Sequence, residues 1–552
     1  MSVTQTHNEG VIHMICEKKF SKSHSIAITG GRILTMNPSD PEVEVVIFQN
    51  GRIIATGTKD ILNSYPELEI YDLQGRALLP GFIDSHLHLS FGCFLPEWVD
   101  LSGCQNKEEL FDRLNNYVVS HPEKEYIVGF PWFDLHYGGI EITKDDLDSI
   151  MAEKSVILIH TTFHSIVANT RACSLAGITN ESKSSGSGII SKDERGELTG
   201  VLIETACIPV LYQALSCDSS YYADLIENAA RDLLRFGITA VHDPGVTPGA
   251  EVAYKKLHAE QRLPVSVLMM PHGETLLDNR VGDRLQAMTF GAGDERLRVG
   301  PVKVFGDGAN KEMMALSVQI QSQIYASGSY RDDFQEIITD AIHQGFQVCV
   351  HCLGNVTVDV VLDSFESAEK ILPSGFSLRP RLEHVNLLSQ EQIIHLASLG
   401  GCASVQPQFL TRASQLNRVP IEGTTWFAYG DLMKAGVVLG GSSDYPGGFM
   451  DGRDVIACCS MAATMSDGQG NIISPEQMMP FEKWLWIYTA GSAYVGNQEA
   501  ERGMLREGLV ADFVVLKGDL NPADPPIVDE TWIGGKRVFS RSQDETEGSG
   551  GL

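Results

Sequence analysis

Eight apolar, β-like runs in the middle of this chain end near His88, Asp243, Met270, Phe305, His351, His384, Gln406 and Asp444, and several are separated by helix-like segments. Examples of the latter are Tyr222 to Phe236, Asp333 to Gln344 and Gln390 to Leu399, where apolar residues recur near i, i+3 and i+4. Strand and helix alternating eight times is the pattern of a (β/α)8 TIM barrel, an α/β fold whose chemistry sits at the C-terminal ends of its strands. Residues able to bind a metal fall where that rule requires: His86 and His88, then Lys303, His351, His384 and Asp444.

The pair His86 and His88 closes an apolar run beginning at Pro80. Side chains at i and i+2 of a strand point to one face, so both imidazoles can meet one ion at the strand's end. Taken alone, the pair also fits two surface or core histidines. Together the four histidines, the lysine and the aspartate form an inventory suited to a hydrolytic site with one or two divalent ions, zinc first among them. The lysine needs a reason, since an ammonium beside a cation is repelled. It must be deprotonated, converted to an anion, or turned away.

At 552 residues the chain exceeds a barrel of ~250 residues and must carry additions. Short β-rich runs with turn signals occupy Ser25 to Asp72, and the stretches Ala511 to Leu516 and Trp532 to Phe539 share that texture. Residues 23–78 and 504–541 are therefore expected to build one small β-sandwich domain, with the barrel domain, 79–503, inserted between them. The stretch from about 94 to 220 fits no single strand-helix unit and reads as an insertion after the first barrel strand, roofing the site. Residues 1–22 and 542–552 are expected to be disordered tails.

A formal net charge of -29 argues against nucleic acid and against anionic membrane surfaces, both of which recruit Lys and Arg. No run of ~20 apolar residues suggests a membrane span, and the N-terminus lacks the apolar core of a secretory signal. A cytoplasmic protein is expected. The eleven cysteines, scattered and odd in number, agree, reading as reduced and mostly buried thiols. Cys349 and Cys352 form a C-x-x-C, but inside an apolar run, where two small core residues flanking His351 suit it better than a redox or zinc-knuckle pair.

The chain resembles the amidohydrolase superfamily, and within it the YtcJ-like branch (amidohydrolase family 3) that includes N-substituted formamide deformylases. The resemblance rests on ordered pieces along nearly the whole length: Pro80 to His88, Val99 to Gly103, Gly129 to Asp134, His164-Ser165 with Asn169, and Gly188 to Glu204. It continues through Gly300 to Gly308, Val350 to Gly354, Arg381 to His384, Ser404 to Pro407 and Gly441 to Pro446. The resemblance implies that His86 and His88 bind the more buried metal, and His351 and His384 the more exposed one. It implies a Lys303 carbamate bridging the two, and an Asp444 that ligates metal and takes the proton from the attacking water.

Two departures bear on substrate. The family's Asp-Gly-His-Ser reads Thr162-Phe163-His164-Ser165 here, and the Gly-Asp after the fifth-strand histidine reads Gly354-Asn355. Neither touches a ligand. Residues expected to contact substrate are Trp98, Trp132, Phe163, His164, Asn310 and Gln406; the aromatic ones fit a core as well as a pocket, and His164 fits a partnered structural histidine as well as a hydrogen-bond donor to substrate.

The leading expectation is a metal-dependent hydrolase of a carbon-nitrogen, non-peptide bond, acting on an N-acyl or N-formyl amide with an apolar group. The alternatives are the same site performing decarboxylation, hydration or isomerisation, and a non-catalytic descendant acting through protein contacts. A small-molecule substrate is the expected partner. A homodimer is left open.

Overall fold

The central apolar runs form parallel strands in two sheets. Phe82–Asp84, Ile238–Val246, Ser266–Pro271 and Leu297–Val299 are neighbours in one. Val302–Phe305, Val348–Cys352, Arg381–His384, Cys402–Val405 and Val438–Gly441 are neighbours in the other. Their residues are almost all buried, which is why these runs read as continuously apolar: parallel strands are covered on both faces.

The sequence leads one to expect a single array of eight strands, and the hydrogen bonding breaks it in two places. One break is Gly300-Pro301, between Leu297–Val299 and Val302–Phe305, where proline has no N–H to donate to a ladder. The other separates Phe82–Asp84 from Val438–Gly441. Across these gaps the edges still meet. His272 bridges Lys303 in parallel, and the Ser85 N–H donates to the Gly441 carbonyl at 3.0 Å.

Helices Ser219–Asp232, Pro248–Ala259, Phe334–His343, Asn355–Glu369 and Gln390–Ser398 connect these strands. Their starts are set by caps. Asp218 accepts from Ser220 N and Tyr221 N, so its helix begins ahead of the apolar periodicity, and Ser389 with Gln392 forms a reciprocal capping box.

Two additions flank this centre. Between the first and second parallel strands lies a six-stranded sheet, ordered Ile189–Lys192, Leu198–Ile203, Ser165–Ala168, Ser155–His160, Tyr126–Trp132, Val99–Asp100, with an apolar core of its own that includes Leu110, Ile127, Leu147 and Val156. The chain ends make the second. Phe513–Lys517 pairs antiparallel with Ala77–Pro80 in a six-stranded sheet drawn from both termini. A four-stranded sheet of Ser25–Thr29, Val45–Gln49, Arg52–Gly57 and Leu68–Asp72 packs on it through Ile28, Val46, Phe48, Phe513 and Trp532. Phe48 stands 5.3 Å from Phe513, ring centre to ring centre, and burying each such ring contributes about 1.5–3 kcal/mol.

The computed structural model describes residues 25–542 except 66, 134–141, 184–187, 273–283, 310–312, 332, 371–378, 412–420 and 448–450. The expected disordered tails, apart from Ser542, and Asn310 lie outside the described residues. Among those described, no helix is long and apolar enough to cross a membrane. The described cysteines are free thiols, buried except for Cys217; Cys349 and Cys352 are core residues within their strand.

Candidate metal centre

His86 and His88 stand just past the strand Phe82–Asp84, in the turn that follows it. Their side chains still converge, because both Nε2 atoms lie 3.3 Å from Asp444 Oδ1. Backbone hydrogen bonds lace the two segments together: Asp444 N–H donates to the His86 carbonyl at 2.7 Å, and Asp84 Oδ1 accepts from both His86 N and Ser443 N at 3.1 Å. Candidate donor atoms of His86, His384 and Asp444 all lie within 4.8 Å of one another. His351 adjoins this group through the His384 ring, 4.4 Å away between centres.

Each of three histidines is turned by a partner on Nδ1. Glu383 holds His86, the Pro244 carbonyl holds His88 at 2.9 Å, and Gln406 Oε1 holds His384 at 2.8 Å. An acceptor there fixes the proton on Nδ1 and leaves the Nε2 lone pair for a ligand. Burial, foremost, pushes His86 down to about 3 and His384 down to about 4, so both rings are neutral donors near pH 7. Burial alone would raise the Asp444 carboxyl; the imidazoles of His88, His384 and His86 packed around it overcome that and hold it below the usual range.

His384 (φ 73°), Val385 (φ 43°) and Asp444 (φ 52°) all sit in the left-handed region. Such backbone costs roughly 1–3 kcal/mol per residue outside glycine and gathers at functional sites. Three buried nitrogens here make no hydrogen bond: His86 Nε2, His351 Nε2 and Lys303 Nζ. Lys303 is wholly buried, 4.8 Å from the centre of the Phe305 ring, and burial lowers its pKa.

The expected substrate contacts separate into distinct places. A cavity of about 100 Å³ is lined by His164 and Thr162 together with His351, His384, Asp444 and Phe409. His164 is carried there by the inserted sheet, where Ser165 pairs with Ile203 and so sets His164 beside Glu204, whose carboxylate meets Nδ1 at 2.8 Å. Gln406 instead stands behind His384. Trp98, Trp132 and Phe163 are not among the lining residues: Trp98 and Phe163 pack with Phe91 and Phe130, and Trp132 belongs to the core of the inserted sheet. The Phe163 backbone is itself left-handed (φ 63°).

Sequence reasoning assigned no role to Glu204, Glu383, Arg381, Asn386 or Trp426. Arg381 and Glu383 share a strand face at i and i+2, and the guanidinium Nε donates to Glu383 at 2.6 Å, so a buried charge pair backs His86. That alternation was the available signal. A larger cleft of about 490 Å³ between Thr29–Gly31 and Gly57–Lys59 contains no histidine, and in the trio Asp363, Glu366 and His395 the Glu366 carboxylate pairs with Lys370 and His395 at the surface.

Comparison with known proteins shows what the chain as a whole is similar to. The chain is 27% identical over 536 residues to the provisionally named amidohydrolase YtcJ of Bacillus subtilis strain 168, covering 93% of this chain and 99% of that one. It is 23% identical over 522 residues to the N-substituted formamide deformylase of Arthrobacter pascens, covering 91% and 95%. The crystal structure of an uncharacterized metal-dependent hydrolase from Pyrococcus horikoshii OT3 superposes with a TM-score of 0.71 at 27% identity, over 90% of this chain and 98% of that one. The model of the amidohydrolase family matches residues 69–539, and with the whole parallel-stranded centre inside that span, the chain belongs to the amidohydrolase family.

Proposed function

We propose that the chain is a metal-dependent hydrolase that cleaves the carbon-nitrogen bond of a small non-peptide amide, N-formyl or N-acyl, bearing an apolar group. The observation that carries this reading is the set of buried nitrogens without a hydrogen bond, His86 Nε2, His351 Nε2 and Lys303 Nζ, with Asp444 Oδ1 3.3 Å from the first of them and His351 lining the same cavity as Asp444. Each such group costs about 1–3 kcal/mol if nothing satisfies it. Neutral imidazoles and a carboxylate are the donor set of zinc or a similar divalent ion, so the residues fit a metal. His86, His88, His351, His384 and Asp444 would hold one or two ions. Lys303, as a carbamate formed from its neutral amine and CO2 with loss of a proton, would bridge them. When bound, such an ion supplies Lewis acidity and makes water acidic enough to attack near pH 7.

The protein's own groups do the rest. Asp444 takes the proton from the attacking water and passes it to the departing nitrogen. Glu383, Pro244 and Gln406 keep the three imidazoles turned inward. His164, steadied by Glu204, faces the substrate, and Leu353, Met314 and Phe409 bed its apolar part. The names of two relatives, a formamide deformylase and a metal-dependent hydrolase, support amide cleavage and metal dependence. On the same reading the two parallel sheets are one closed (β/α)8 barrel within residues 79–503, which the Ser85–Gly441 bond and the His272–Lys303 bridge support, and 23–78 with 504–541 form a companion β-sandwich domain.

Metal analysis of the purified protein should find one or two divalent ions per chain, and N-formyl, N-acyl and cyclic amides should be screened for release of amine. Absence of bound metal, with no amine released from any of them after metal is supplied, would overturn the proposal. Lys303→Ala should lower metal content and activity together, and short carboxylic acids should partly restore both. Unchanged metal content in that variant would exclude the bridging role.

A further inference from the structure

Two residues that line the small cavity each carry a polar side-chain atom that makes no hydrogen bond. Asn386 is 9% exposed and its Oδ1 is buried and unbonded; Trp426 Nε1 is in the same condition. Both residues line the cavity that His384 and Asp444 share. Trp132 and Trp484 also have unbonded, buried indole nitrogens, but neither of them lines it. Asn386 and Trp426 are brought together by a short antiparallel ribbon just beyond His384: Leu387 pairs with Trp426, and Phe427 N–H donates to the Asn386 carbonyl at 2.8 Å.

Their chemistry is specific. An indole N–H donates and cannot accept, so it asks the ligand for an acceptor. A carboxamide oxygen asks for a donor. Around them Met314, Leu353, Phe409 and Phe427 offer only apolar surface. The cavity, about 100 Å³, encloses little more than the polar head of a ligand.

We propose that Asn386 and Trp426 form a recognition pair that selects amides and ureides whose nitrogen keeps a hydrogen, the Asn386 carboxamide accepting that N–H and the Trp426 indole donating to an oxygen of the same ligand. The inference rests on the amide-hydrolase reading and narrows its substrate class to compounds that are not fully N-substituted. A site built to bond an N–H discriminates strongly against a ligand lacking it, because its own buried group is then left unsatisfied.

Binding can be measured without turnover by titrating the metal-loaded, full-length protein calorimetrically with phenethylurea, an unreactive stand-in for an amide, and with its fully N-methylated counterpart. The wild type should bind phenethylurea at least tenfold more tightly. Asn386→Leu should bring that ratio close to one, whereas a penalty that is merely steric would persist in the variant. Trp426→Phe, which removes only the N–H and keeps the ring, should weaken both ligands about fivefold to tenfold. Metal content and melting temperature serve as checks on folding, and Asn386→Ser is the milder substitute if the leucine variant does not fold. Equal affinity of the wild type for the two ureas, no measurable binding of either, or a ratio unmoved by substitution at Asn386 would overturn the proposal. Release of amine from N-formyl and N-acetyl phenethylamine tests hydrolysis separately; a preserved urea preference with no release would sink the hydrolytic reading and leave the recognition pair standing.

Discussion

Two regions of this protein bury charge, and they treat it in opposite ways. In the terminal sheets, Glu530 accepts from Tyr71 Oη at 2.5 and 2.6 Å, from Trp532 Nε1 at 2.9 Å and from Arg76 Nη1 at 3.0 Å, while Arg76 also reaches Asp529 at 2.5 Å. Every member of that network is satisfied by another. Around Asp444 three histidines have orienting bonds on Nδ1, yet His86 Nε2, His351 Nε2 and the Lys303 amine are buried without a hydrogen bond. A closed network rigidifies what holds it, whereas an open one depends on something the chain does not itself supply. Changes in the first should therefore move stability, and changes in the second should move binding and turnover.

The largest effect expected on the open side is Asp444→Asn. Loss of the proton carrier should lower turnover ~100-fold or more, while the melting temperature stays within a few degrees of wild type. Steady-state rates on metal-replete protein, paired with thermal melts, check both halves. Near wild-type turnover would identify another group as the base.

Gln406→Met sharpens the comparison by attacking orientation alone. Gln406 fills the space behind His384 and accepts its Nδ1 proton, and methionine of similar size offers no comparable acceptor. Metal affinity should fall ~10–100-fold, as for other groups that orient a metal-bound histidine. Competition with a chromogenic chelator measures it. A change confined to KM, with metal affinity untouched, would return Gln406 to the role of a substrate contact.

Much of this was legible in the sequence, and the illegible part has a physical pattern. Continuous apolar runs announced parallel strands because burial on both faces leaves a plain mark. His86, His88, His384 and Asp444 could be singled out because ligand-type residues at the ends of such runs are conspicuous. The partners could not be read in the same way. Glu204 meets His164 only through the register of the inserted sheet, and Asn386 meets Trp426 only through a ribbon joining segments far apart in the chain. Trp98, Trp132 and Phe163 show the converse failure, since an aromatic side chain looks alike in sequence whether it lines a pocket or fills a core. The two interruptions of the parallel array turn on single backbone hydrogen bonds, which composition does not record.

The smallest effect is expected on the closed side, and it carries a pH signature. Burial alone would raise the Glu530 carboxyl; hydrogen bonds from Tyr71, Trp532 and Arg76, with the Arg76 charge, hold it below the ordinary 4.5. A depressed folded-state pKa means that the unfolded chain takes up the proton first as pH falls. The stabilisation is therefore complete above about pH 4.5 and is lost as pH drops through the lower, folded value. Glu530→Gln should cost about 1–3 kcal/mol at pH 7, because it leaves buried donors with a poorer acceptor, without changing metal content. The gap between wild type and variant should hold from pH 7 to about 5 and narrow below that. Acidification also relieves the repulsion within a chain of net charge -29, but that relief is nearly common to both proteins and largely cancels in their difference. Paired thermal melts between pH 7 and pH 3.5 decide the matter: a gap that stays constant throughout would mean that folding does not shift the Glu530 pKa, and one that widens on acidification would mean that Glu530 is held as the neutral acid.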